Sequence, residues 1–141
     1  MGLEENKTVA RRLFDAINNG TLDELPQLVA PDVVDHNAVI FMQPEGPGGV
    51  EEGIRMLLKG FPDLHLTIQD LLAEDARVVV RFTMSGTNTG DYRGLPAPTQ
   101  QYFDSEAIAI LRIADGRIAE LWGTADRLGM LTQLGILPDL G

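Results

Sequence analysis

The spacing of apolar residues switches from helical to alternating near residue 64, and that change limits the folds open to this chain. Before it, Val9, Leu13 and Ile17 form a stripe with Ala10 and Phe14 beside it. This is the three-and-four spacing of a helix over about residues 4–18. After it, Leu64, Leu66 and Ile68 alternate with His65, Thr67 and Gln69, and Val78, Val80, Phe82 and Met84 alternate with Val79, Arg81 and Thr83. Period two means strands with one buried face.

The remaining elements follow from local signals. Asn18-Asn19-Gly20 supplies a left-handed helix stop. Thr21 with Glu24 reads as a capping box for a short second helix, whose apolar face is Leu25, Leu28 and Val29. An extended segment from Val33 to about Ile40 carries Asp35, His36 and Asn37. Residues 43–49 are a loop by their Gly and Pro content. A third helix is expected from Val50 to Lys59, with Ile54, Leu57 and Leu58 inward. A strand from about Gln100 to Ile113, a tight turn at Asp115-Gly116 and a return strand from Arg117 to Gly123 come next. A last helix from about Ala125 stops at Gly135.

Helices first and a meander of strands after them predict an α+β fold. The N-terminal helices should pack on one face of a strongly curved antiparallel sheet, in a single domain over residues 1–141. A sheet curved around helices leaves a cavity at its open end, a natural site for a small ligand. The uncovered sheet face predicts a homodimer.

Charge and cysteine content narrow the function. The net charge is −10, and no Lys/Arg cluster is present. Nucleic acid and anionic membrane surfaces are therefore not expected partners. No apolar run reaches the length needed to span a bilayer. Met1-Gly2-Leu3-Glu4-Glu5 lacks the pattern of a signal peptide, which predicts a cytoplasmic protein. The absence of cysteine removes disulfides, thiol nucleophiles and thiolate metal sites. The only two histidines, His36 and His65, show no metal-ligand spacing, so no metal is expected. Phosphate-binding loop patterns are missing as well.

Several short motifs occur in a telling order: Val34-Asp35-His36, Phe61-Pro62-Asp63-Leu64, Gly86-Thr87-Asn88-Thr89-Gly90, Gly94-Leu95-Pro96, Asp115 through Trp122, and Asp126 through Gly135. Over nearly its whole length the chain resembles the SnoaL-like polyketide cyclases. That resemblance implies the conical fold shared with nuclear transport factor 2 and ketosteroid isomerase. It implies ring closure of a small hydrophobic, oxygenated molecule by aldol chemistry, with a carboxylic side chain as acid–base and no cofactor. Epoxide hydrolysis, isomerisation and plain ligand binding occur on the same fold, which alone does not choose among them. Asn88 and Leu121 stand where the family pattern has His.

Asp126 is the first candidate acid–base, and helix capping is its structural alternative. His36 is the second, with a hydrogen-bonding or proton-shuttling role. Glu106 shares strand parity with Ile108 and Ile110, and Glu120 with Ile118 and Trp122. Both carboxylates, and Arg81 paired with one of them, are therefore expected at the cavity. Trp122 and Phe14 would pack on a flat substrate, and Asn88 would hydrogen-bond to it.

Overall fold

α1 (Leu3–Asn19) buries Val9, Ala10, Leu13, Phe14, Ala16 and Ile17 along one side, as its spacing predicts. Gly20 ends it at φ 71°, a left-handed backbone that glycine adopts without a Cβ clash. The computed structural model describes residues 2–46 and 48–139. The expected capping box does not form: the Thr21 side chain makes no capping bond. A 3₁₀ turn (Leu22–Glu24) leads into a single helical turn, α2 (Leu25–Leu28), with Pro26 near its start. Val29 opens β1 (Val29–Asn37) and does not extend the helix face.

α3 (Gly49–Gly60) places Val50, Ile54 and Leu57 inward. Four strands follow: β2 (His65–Glu74), β3 (Arg77–Thr87), β4 (Tyr102–Ala114) and β5 (Arg117–Ala125). Short α4 (Arg127–Gln133) comes last. Asp75 and Asp115 take left-handed backbone at the two tight turns. Among the described residues no helix is long and apolar enough to cross a membrane.

The five strands form one sheet in the order β1-β5-β4-β3-β2. β2 to β5 are antiparallel neighbours, as expected. β1 pairs with β5 in parallel, which makes the sheet mixed where a wholly antiparallel one was expected. β1 and β2 are its two edges, so the sheet is open and does not close into a barrel. The α+β class stands, with α1 lying across the inner face of β2 and β3. Phe14 meets Phe82 edge-on there, with ring centres 4.8 Å apart.

Edge strand β2 is held by a side chain that imitates a strand neighbour. Asn18 Nδ2 donates to the Leu66 carbonyl at 2.9 Å, and its Oδ1 accepts from the Leu66 N–H at 2.7 Å. Asn18→Ala leaves both backbone groups in a partly buried place without that partner. The expected loss is about 1–3 kcal/mol, read as a lower urea midpoint with an unchanged slope.

Candidate active site

The two faces of the sheet carry different chemistry. β4 buries Phe103, Ser105, Ala107, Ala109, Leu111 and Ile113. Glu106 and Ile108 therefore point away from the helices, opposite to the parity expected from Ile108 and Ile110. Ala and Ile alternate in that strand, so both faces are apolar and periodicity cannot choose between them. The packed helices take the small alanines, and Ile108 is left 42% exposed.

β5 contains a bulge. Ile118 pairs with Ile113 and Glu120 with Arg112, so Ala119 is an extra residue between them. A bulge shifts the alternation by one. Ile118 and Leu121 face inward, while Glu120 and Trp122 face outward, which separates two residues expected to share a side with Ile118.

The expected site residues then fall into separate groups: His36, Glu120 and Trp122 form one on the outer face, and Arg81, Glu106 and Asp126 line an open depression of about 520 Å³ there. On the outer face Trp122 lies between His36, stacked at 4.8 Å, and the Arg77 guanidinium at 5.3 Å. Glu120 accepts from Arg112 Nε at 2.6 Å and meets His36 Nε2 at 2.7 Å. The His36 bond, then the Arg112 bond, hold the Glu120 carboxyl below its ordinary range. Arg81 bridges Asp70 and Glu106, each at 2.6 Å, and its pKa is raised first by the Asp70 bond. Asp126 is exposed and caps α4, its Oδ1 accepting from the Gly129 N–H at 2.8 Å. Asn88 is buried and clamps loops: Nδ2 donates to the Gly60 and Gly90 carbonyls, and Oδ1 accepts from the Thr99 N–H. None of these side chains lines an internal cavity.

Phe14 does. It joins Leu13, Ile54, Leu66, Met84, Leu111 and Leu121 around a narrow apolar chamber of about 90 Å³. Among the described residues only Asp35 and Gln43 bring polar side chains to it. Gln43 Nε2 donates to Asp35 Oδ2 at 2.8 Å, and the Asn37 N–H lies 3.3 Å from Oδ1. Asp35, Ile40 and Gln43 also line a more polar cleft of about 670 Å³, which His36 and Arg127 border. The Asp35–Gln43 pair thus stands between an apolar chamber and a cleft of small-molecule size. Among the described residues no three His, Asp or Glu side chains gather closely enough to hold a metal ion.

Asp35 is expected from the sequence only as a neighbour of His36. Its parity with buried Val33 is the signal that points it inward. Nothing local marks Gln43, because its place depends on how the following loop folds back.

The family model for SnoaL-like polyketide cyclases matches residues 7–134. Aklanonic acid methyl ester cyclase DnrD of Streptomyces peucetius is 27% identical over 133 residues, 90% of this chain and 88% of that protein. The structure of TsrD from Streptomyces laurentii is 30% identical, with TM-score 0.84, covering 97% of this chain and 99% of that one. AclR from Streptomyces galilaeus, a candidate hydroxylase, is 28% identical with TM-score 0.85, covering 99% and 87%.

The Glu120 cluster should show in the pH dependence of stability. The folded carboxyl lies below its unfolded value of 4.5, so its contribution is complete above that pH and is lost as pH falls through the folded value. Asp63, lowered first by its bond from the Thr87 N–H, adds to the same acid limb. Glu120→Gln should lower the melting temperature at pH 7 and flatten its fall below about pH 4.5. A variant curve parallel to the wild-type curve would contradict this.

Proposed function

Because the chain belongs to the SnoaL-like polyketide cyclase family, we propose that it closes a ring on a small oxygenated polyketide, using Asp35 as the acid–base and no cofactor. The observation that carries this reading is that, among the described residues, Asp35 is the one carboxylate lining the apolar chamber. The acid–base role expected of Asp126 passes to Asp35, because Asp126 is committed to capping α4 at the surface. His36, held by Trp122 and Glu120, anchors the strand that carries Asp35.

The step is an intramolecular aldol closure. The Asp35 carboxylate takes a proton from the carbon beside a carbonyl. The enolate carbon attacks a second carbonyl carbon of the same molecule and forms the new C–C bond. The resulting alkoxide takes the proton back from Asp35. Gln43 keeps the carboxylate oriented, and the apolar wall that includes Phe14 and Leu121 holds water away from the enolate.

Aklanonic acid methyl ester, which the Streptomyces peucetius relative is named for cyclising, is the first substrate to try. Ring closure yields a product of unchanged mass and new retention time. Asp35→Asn should lower kcat by about 10²–10⁴-fold, while Asp126→Asn stays within a few-fold of wild type. Full turnover by Asp35→Asn would remove Asp35 from this role.

A second reading is ligand binding without turnover. It is favoured by the hydrogen bond that already engages Asp35 and by the single titratable group on the chamber wall. In the same assay it predicts a bound compound recovered unchanged.

A further inference from the structure

The chamber is too small for the molecules just considered. An apolar cavity of about 150 Å³ takes benzene, and this one measures about 90 Å³. Some part of the wall must move before a ring can enter. α1 and strands β2 to β5 interlock through buried side chains. Residues 38–43, between β1 and α3, lie at the rim of that core: Val39, Ile40 and Phe41 pack against it but are only half-buried, and Met42 is 49% exposed.

That segment is held by separate point contacts from distant parts of the chain. The Arg127 guanidinium donates to the Ala38 carbonyl. The Tyr92 hydroxyl, whose pKa burial raises, donates to the Phe41 carbonyl. Val39 fills a notch at Gly123, where an added Cβ would lie 2.2 Å from Val39 Cγ2. Met42 covers Gly94 in the same way, at 2.8 Å from its Cγ. Gln43 closes the series on Asp35. Val39 and Ile40 line the chamber, while Ile40, Phe41, Met42 and Gln43 line the outer cleft, so the segment is the partition between the two.

We infer that residues 38–43 are a lid over the chamber, and that Gln43 makes lid closure and the orientation of the Asp35 carboxylate a single event. This rests on the chamber being the substrate site. When the lid lifts, Val39 and Ile40 withdraw and the chamber joins the 670 Å³ cleft, a volume within the range of small-molecule sites. When it closes, the amide of Gln43 returns to Asp35 and the chamber is again narrow and apolar. Gln43 is thus a positioning residue, acting on substrate through Asp35.

A chain without cysteine allows a clean lock. A Cβ built at Gly123 lies 3.5 Å from Val39 Cβ, within disulfide reach. In the reduced Val39→Cys/Gly123→Cys double variant, hydrogen exchange of residues 38–46 should run about 100-fold or more faster than that of β3 and β4. Oxidation should slow the lid amides by about tenfold or more and leave the sheet unchanged. Alizarin, a hydroxylated anthraquinone, should bind the reduced form, be excluded from the oxidised form, and bind again after dithiothreitol. Arg127→Ala in the cysteine-free chain should speed lid exchange about tenfold without touching the sheet, which keeps the test alive if the double variant misfolds.

The lid falls if lid and sheet amides exchange alike, if the folded double variant fails to cross-link, if cross-linking leaves lid exchange unchanged, or if alizarin binds both redox forms equally. A lid that opens and locks while alizarin binds neither form would instead overturn the chamber as the substrate site, and the lid would stand.

Discussion

The register of β5 on β4 decides which chemistry this protein keeps inside. One extra residue, Ala119, lies between the Ile113–Ile118 and Arg112–Glu120 pairs. Because side chains alternate with period two, a one-residue shift sends every later side chain to the other face. Without it, Glu120 and Trp122 would lie beneath the helices and Leu121 would face outward. With it, the chamber wall is closed by a leucine, and the charged and aromatic groups gather on the opposite face.

That outer cluster has a mechanical consequence for the site. β1 is an edge strand whose pairing with β5 shifts register between Val29 and Val34 and again between Asp35 and Asn37. Backbone bonds alone define its placement poorly. His36 supplies the missing constraint, stacked on Trp122 and bonded to Glu120, which Arg112 holds in turn. Alternation then turns the neighbouring Asp35 to the inner face. The Glu120 cluster therefore braces the strand that carries the carboxylate and takes no direct part in the chamber.

The fold class and the helical and stranded periods were legible in the sequence, because burial of one stripe or one face leaves a pattern that local residues carry. The apolar stripe of α1, the turn at Asp115 and the stop at Gly135 are of this kind. What depended on distant pairing was not legible. The parallel β1–β5 pair, the bulge at Ala119 and the outward turn of Glu106 all require knowing which strand lies beside which. The site suffers most from this. Asp126 and Asn88 carry plausible chemistry in sequence, yet one caps a helix and the other ties three loop segments together. Gln43 lies in a stretch that composition marks only as loop, and its meaning comes from the fold-back that brings it to Asp35.

A chamber lined by one carboxylate also restricts the reactions it can serve. Water attack on an epoxide needs one group to activate the water and another to protonate the opening oxygen, and the carboxylates expected to form such a pair lie outside the chamber, Glu106 and Asp126 together on an open outer depression. Glu106 is held by Arg81, Glu120 by His36 and Arg112, and Asp126 by the Gly129 N–H, all on the outside. A single group can instead complete a reaction that returns the proton it takes. Intramolecular aldol closure has that balance: the proton removed from carbon ends on the alkoxide, and Asp35 finishes as it began. An apolar wall of leucine, isoleucine and phenylalanine suits the same constraint, because a proton held on one carboxyl group must reach the substrate before water removes it. The charge pattern of the chamber thus fits the ring closure proposed from family membership.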